Sequence, residues 1–473
     1  MKIRFNKAGG DFSEGSIPSN ILSLAIPLII ADLVNVLYNL VDRMYLGHIP
    51  GTGTLALTSV GLSLPVITLI TAFASLVGYG GAPLFSIARG EKNDGQAKTI
   101  METSFLLLLG TSLLLMVLLF VFARPVLLLI GADDTTLSCA LEYLRVYLIG
   151  TPFVLVTLGM NPFINAQGYA KTAMFTTLLG GILNILLDPV FIYLFGLGVK
   201  GAAIATVISQ LCSSVWVCRF LLGPVSPVRL ERLHLDLKEA GRILALGISG
   251  FAFKVTNSIT QAVANAMLNV YGGDMSLLFV GSLSIIHSLR EVSTQPVSGL
   301  TNAAQPVMSY NYGAGEYKRV RDCIKFVFLS AMGCNLVFWA LLQFFPETFI
   351  RIFASDPDLI RTCVPCLKIY FGVYFMMTLQ LTGQNTYVAT NKPKFSVFFS
   401  LFRKFVLVLP LTLLLPRTSM GVYGVFYAEL ISQMIGASAC FITMMLTVWR
   451  ELKQKEKIVN STKPPTDAAS AVL

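Results

Sequence analysis

Twelve runs of apolar residues, most of them about twenty residues or longer, follow one another at 21–46, 57–84, 100–122, 141–164, 173–195, 201–222, 242–270, 277–306, 324–346, 362–388, 395–415 and 421–449. A helix rises about 1.5 Å per residue, so each run can cross the hydrocarbon layer of a bilayer. Inside that layer the backbone must satisfy its own hydrogen bonds, and isolated apolar segments do so as helices. The pattern predicts an all-α integral membrane protein with twelve transmembrane helices. The polar stretches between the runs are short. The longest, 223–241, holds Pro224, Pro227 and several charges and reads as a surface linker. Residues 1–20 are mixed and polar, with no cleavable leader, and residues 450–473 read as a solvated, disordered tail.

The polar residues inside the apolar runs are more informative than those outside. In the first run Asn35, Tyr38, Asn39 and Asp42 recur at three- and four-residue spacing, so one helix face carries all four. An Asp in such a helix costs on the order of 3 kcal/mol on insertion scales, so that face should meet a cavity, a partner helix or an ion. Pro27, earlier in the run, lacks an amide hydrogen and predicts a hinge. The fifth run carries Asn184 and Asp188 on one face, followed by Pro189. The sixth carries Thr206 and Gln210.

Composition narrows the class. Apolar residues make up 55% and charged residues 13%, with a mean hydropathy of +0.71; a soluble domain carries about 25% charged residues. Three histidines leave little material for a histidine metal site or a Ser-His-Asp triad. The eight cysteines form no disulfide framework, and Cys363 and Cys366 read as packing. The +10 charge is a topology signal. The terminal segments and even-numbered connections, with the span edges beside them, hold 23 of the 35 Lys and Arg residues, against 6 for the odd-numbered connections. Both termini are therefore expected in the cytoplasm, with the chain crossing the cell (inner) membrane. No basic face follows a phosphate backbone, which argues against nucleic acid.

A repeat at an offset of 223 residues relates Pro83 to Pro306, Ser86 to Ser309, Gly90 to Gly313, Asp133 to Asp356, Tyr147 to Tyr370 and Gly201 to Gly424. Six spans separate equivalent points, so the halves keep the same orientation. Two lobes, 21–222 and 242–449, are expected across a central cavity, related by an axis along the membrane normal. The same offset carries Asp42 to Asn265, Asn184 to Leu407, Asp188 to Leu411 and Thr206 to Glu429. The acid pair belongs to the first lobe alone. Two carboxylates with Asn, Thr and Tyr oxygens around them suit a shared proton or a hard monovalent cation. Lys254, Arg290, Glu291 and Glu429 are the second lobe's buried charges, paired with one another or available to a charged substrate.

Taken together, Ala25-Ile26-Pro27, Tyr38-Asn39-Leu40-Val41-Asp42, Gln167-Gly168, Asn184 to Pro189, Gly201 to Thr206, Gln305-Pro306 and Asn311-Tyr312-Gly313 resemble the multidrug and toxic compound extrusion (MATE) family from about Pro18 to Arg450. The resemblance implies a V-shaped pair of six-helix lobes that exports amphipathic or cationic drugs in exchange for H⁺ or Na⁺. It assigns coupling, or a Na⁺ site, to Asp42, Asn184, Asp188 and Thr206, with Tyr38 beside them. Asn35, Asn161 and Gln210 would line the substrate cavity, joined by Lys254, Arg290 and Glu291, and Pro27 would be the hinge. Another branch uses acids in the seventh and tenth helices; neither span here has one. A monomer without cofactor is expected, working on small organic molecules within the lipid bilayer, and no enzyme activity. A flippase for a lipid-linked or anionic metabolite is the rival reading. An intramembrane prenyltransferase would need Asp-rich motifs that the lone doublet Asp133-Asp134 does not supply.

Overall fold

The computed structural model describes residues 11–462. Its helices are α1 (Ile17–Gly47), α2 (Gly53–Gly90), α3 (Asp94–Ile130), α4 (Asp134–Ile149), α5 (Thr151–Ala166), α6 (Ala170–Pro189) and α7 (Gly198–Leu222). After a linker come α8 (Leu237–Tyr271), α9 (Ser276–Gly313), α10 (Tyr317–Phe344), α11 (Pro346–Ile350), α12 (Pro357–Tyr370) and α13 (Met377–Ala389). The last two spans are built from α14 (Pro393–Leu401), α15 (Leu409–Leu414), α16 (Gly424–Ser432), α17 (Ser438–Met444) and α18 (Arg450–Thr462), joined by π-helical turns. Among the described residues, ten helices are long and apolar enough to cross a bilayer. Two bent pairs bring the spans to twelve.

The bent pairs correct the expectation of single helices at 141–164 and 362–388. The fourth span breaks by 55° between α4 and α5, and the tenth by 43° after α12. In the fourth, Pro152 follows Gly150 and cannot donate to the carbonyl one turn back. In the tenth, Gly372 lies in the break, and Trp339 Nε1 donates to its carbonyl at 2.9 Å. Pro27 does the opposite. It is buried within an α1 that continues unbroken to Gly47, clamped against α9 where Ile29 fills the space over Gly299.

The repeat is visible as contact geometry. A Cβ on Gly90 would lie 2.0 Å from Tyr310 O, and one on Gly313 would lie 2.1 Å from Ile87 O. Gly90 with Gly313 and Ile87 with Tyr310 are equivalents at the 223-residue offset, so α2 and α9 cross reciprocally about the pseudo-twofold axis. Gly80 and Gly247 extend this seam between α2 and α8, where a Cβ on Gly247 would be 1.6 Å from Leu76 O. Backbones approach this closely only where side chains are absent. Asp133 and Asp356 are a second equivalent pair: each caps its helix, Asp133 at the start of α4 and Asp356 at the start of α12.

At the end of the molecule where the lobes are joined, Phe12 and the first turns of α1 pack into the core of the second lobe. Arg319 donates to the carbonyls of Phe12, Glu14 and Gly15, and Asn311 to that of Phe12. The expected linker 223–241 shortens to 223–236 because Asp236 caps α8. That linker is pinned to the first lobe. Gln167 Oε1 accepts from Ser226 Oγ and Val228 N, and buried Glu102 accepts from the amides of Glu231 and Arg232.

The disordered tail expected from 450 is corrected as far as Thr462. Leu452 is fully buried, Lys392 Nζ meets Glu451 at 2.5 Å, and Arg321 pairs with Glu456. These contacts hold α18 against the second lobe. Residues 463–473 lie outside the described residues.

Two predictions follow from these packing facts. Gly247→Ala forces the α2–α8 seam apart and should cost about 1–3 kcal/mol, as overpacking does; an unchanged melting temperature in detergent would show that the seam tolerates a Cβ. At the cap of α4, the Thr135 hydroxyl, followed by the amide and hydroxyl of Thr136, holds the Asp133 carboxyl down at about 2, from an ordinary 3.8. The folded value is depressed, so the cap's contribution is complete above about pH 4 and lost as pH falls through about 2. Amide exchange in the first turn of α4 should follow that course, and Asp133→Ala should loosen the turn above about pH 4 and remove the pH dependence.

Candidate functional site

Helices α1 and α6 pack side by side, and α7 returns against α6. This brings the polar face of α1 onto Asn184 and Asp188. Helix α6 ends at Pro189, after which Val190–Leu194 forms a wider π turn, so Asp188 sits at the last regular turn. Asp188 is fully buried and Asn184 is 3% exposed. Asn184 Nδ2 donates to Asp188 Oδ1 and to Thr206 Oγ1, each at 3.3 Å, and Thr206 Oγ1 donates to Ala202 O at 3.0 Å. The Asp42 carboxyl faces that of Asp188 within hydrogen-bonding reach.

Three acceptor oxygens are then left over. Asp42 Oδ1, Asn184 Oδ1 and Asp188 Oδ2 are buried with no donor among the described residues. Carboxylates in this position need a proton between them or a cation among the oxygens. The donor set is two carboxylates, an amide and a hydroxyl. Such oxygen ligands fit a hard monovalent ion, and among the described residues no group of three or more His, Cys, Asp or Glu side chains could hold a metal ion. Tyr38 stands beside the pair, and from α4 Tyr143 and Tyr147 close the same side as stacked rings 6.1 Å apart. Tyr143 was missed in the sequence; its signal is a Tyr pair at i and i+4.

The other expected residues are distributed over separate spaces. Asn35 and Asn161 line a cavity of about 150 Å³ in the first lobe, with Asp32, Tyr79, Asn165 and Gln305. Asn161 donates to Ala173 O at 3.2 Å, while Asn161 Oδ1 and Asn165 Oδ1 find no donor. Gln210 lies one turn from Thr206, outside that lining, with Oε1 buried and unpartnered. A second cavity, about 310 Å³, is lined by Lys254, Ser249, Phe253 and Asn385. Tyr79, Asn302 and Gln305 line both, so the two adjoin across these side chains. Lys254 pairs with no carboxylate among the described residues; its ammonium donates to Thr71 O at 3.3 Å. Glu291 is exposed and shares a helical stripe with Ser298 and Asn302, which line the cleft. Arg290 is turned the other way, into the second lobe beside Glu429.

Asp32 is the functional candidate that sequence reasoning passed over. It faces the first cavity and makes no hydrogen bond or ion pair among the described residues. It precedes Asn35 by three residues, so the helical spacing that selected Asn35 and Tyr38 already pointed to it.

Comparison with known proteins places this geometry. The MatE family model matches residues 27–190 and 255–414, one segment in each lobe. The multidrug export protein MepA of Staphylococcus haemolyticus (strain JCSC1435) is 25% identical over 383 residues, covering 79% of this chain and 83% of that protein. MepA of Staphylococcus aureus (strain MSSA476) is 24% identical over 448 residues, covering 93% and 95%. A solved structure described as the outward-facing conformation of a multidrug resistance MATE family transporter of the MOP superfamily superposes with a TM-score of 0.86 at 22% identity. It covers 96% of this chain and 99% of its own. Two repeated lobes, a polar core in the first and matches over nearly the whole length lead to one conclusion: the chain belongs to the MatE family, as a membrane transporter of small molecules and not an enzyme.

Proposed function

We propose that the protein is an antiporter exporting amphipathic cations in exchange for H⁺ or Na⁺, with coupling at Asp42, Asn184, Asp188 and Thr206. The observation that carries this reading is the set of three buried acceptor oxygens left without donors around two facing carboxylates. An unpaired buried carboxylate costs several kcal/mol. Entry of a proton or cation therefore favours α1 drawn onto α6 and α7, and its loss favours their separation. Occupancy biases which packing the first lobe adopts, which is what exchange requires.

The substrate path runs through the cleft formed by these two adjoining cavities. Its one acid among the described residues, Asp32, would attract an organic cation, while Tyr79, Phe253 and Leu381 offer apolar contact. MepA's name as a multidrug export protein supports the direction of transport. The excess of Lys and Arg on the terminal side supports a cytoplasmic position for the glycine seam, and closure there would leave the cleft open to the outside. Pro27 would act as a hinge where α1 lacks one backbone hydrogen bond. The flippase reading draws no support from the cleft, where Lys254 is the only cation lining either cavity among the described residues.

Asp188→Asn keeps the shape of the pair but removes the titrating charge. It should reduce dye export from an efflux-deficient host at least tenfold at unchanged protein level, and full export by this variant would overturn the coupling assignment. In proteoliposomes, pH and Na⁺ gradients imposed in turn identify the ion. Asp32→Asn should raise the KM for a cationic dye several-fold while leaving a neutral dye of similar shape nearly unaffected. Equal changes for both dyes would remove Asp32 from substrate recognition.

A further inference from the structure

The second lobe contains a buried polar cluster that coupling in the first lobe leaves unused. Glu429 on α16 accepts from Arg403 Nη1 at 3.0 Å and from Lys404 Nζ at 3.2 and 3.4 Å. Arg290 Nη2, from α9, stands 3.8 Å from the same carboxylate. Arg403 and Lys404 are each 2% exposed and Glu429 is 4% exposed. Beside them lies a cavity of about 70 Å³ bounded by Asn257, His287, Arg290, Tyr370, Lys404 and Glu429, where one water needs only about 15 Å³.

The charges around this cavity do not balance. Every element facing it can be counted: α8 brings Asn257, Thr260 and Gln261, α9 brings His287 and Arg290, α12 brings Tyr370, and α15 brings Thr412. The turn Phe402–Val408 brings Lys404, with Arg403 behind it, and α16 brings the single carboxylate. Glu291 is exposed on another face of α9. Three cations thus meet one anion. Loss of the Lys404 proton does not restore balance, because two guanidinium groups, which do not deprotonate in proteins, still face one carboxylate. Hydrogen bonding is lopsided in the same sense. Arg290 Nη1 donates to Tyr370 Oη at 3.1 Å, which leaves the phenol hydrogen free to point elsewhere. Arg290, Lys404 and the Tyr370 hydroxyl converge on the cavity beside one unpartnered acceptor, Asn257 Oδ1, and Glu429 is already shared among three cations. Surplus positive charge buried in a membrane is costly unless an anion accompanies it.

We propose that this cavity binds a small monovalent anion, either a halide ion or the carboxylate group of a solute, held by Arg290, Lys404 and the Tyr370 hydroxyl. The site lies in the opposite lobe from the acid pair and does not depend on the coupling assignment.

The test is thermal unfolding of the purified full-length protein in detergent at constant ionic strength, with gluconate replaced stepwise by chloride, bromide or acetate. A saturable rise in melting temperature is expected with at least one of these, and Arg290→Gln should abolish it. A rise with halides alone identifies an inorganic ion; a rise with acetate alone identifies a carboxylate-bearing solute. If Arg290→Gln does not fold, Tyr370→Phe keeps every charge and should raise the half-saturating anion concentration several-fold. Bromide anomalous scattering in crystals should then place a peak between Arg290 and Lys404. Melting temperatures indistinguishable from gluconate for all three anions, or an equal rise in Arg290→Gln, would overturn the proposal. Asp188→Asn should retain the rise, so failure of the anion site and failure of the coupling site are read separately.

Discussion

Acceptor oxygens without donors are the constraint on which the rest of the first lobe depends. Asp42, Asn184 and Asp188 each keep one buried oxygen without a donor among the described residues. Helix α6 cannot continue regularly past Pro189, so Asp188 is held at its last turn. Helix α1 cannot turn Asp42 outward without exposing a carboxylate to hydrocarbon, where each charge costs on the order of 3 kcal/mol or more. A missing proton or cation is therefore felt as a packing instability between α1, α6 and α7. Chemistry and conformation are linked through that one shortage.

The repeat shows how a shared scaffold carries different chemistry in its two lobes. Gly180, packed against Ser213, and Gly181, which leaves room for Tyr38 beside the acid pair, are replaced at the 223-residue offset by Arg403 and Lys404. Thr206 is replaced by Glu429 and Asp188 by Leu411, while Tyr147 keeps its counterpart in Tyr370. The acid pair of the first lobe is left short of donors, whereas the cluster in the second holds three cations to one carboxylate. Between them the glycine seam of α2 with α8 and α9 joins backbones almost directly. A seam of that kind separates as a unit, because small residues interlock without long side chains to disentangle.

Much of this was legible along the chain. Apolar length gave the spans, and helical spacing grouped Asn35, Tyr38, Asn39 and Asp42 and paired Asn184 with Asp188. Spacing did not show that Asn39 returns to Asn35 O at 2.7 Å on an exposed face, or that Arg290 leaves the cleft. Those outcomes depend on rotation of a helix against its neighbours, which a one-dimensional period leaves free. Tail residues 450–462 were misread for a related reason. Their polar composition is ordinary for solvent, and only Lys392, Tyr312 and Arg321, far away in sequence, supply the partners that make them helical.

By itself the sequence determined the solvent, the number of spans, the duplication and the confinement of the acid pair to one lobe. These follow from local hydrophobicity and from residue identity at a fixed offset. Only the tertiary structure decided which polar atoms find partners. It left Asp32 and Lys254 without an ion-pair partner among the described residues, in adjoining cavities, and gathered Arg290, Arg403 and Lys404 around a single carboxylate. Partnership in a membrane interior is a matter of a few ångströms between helices distant in the chain, and no local pattern encodes that distance.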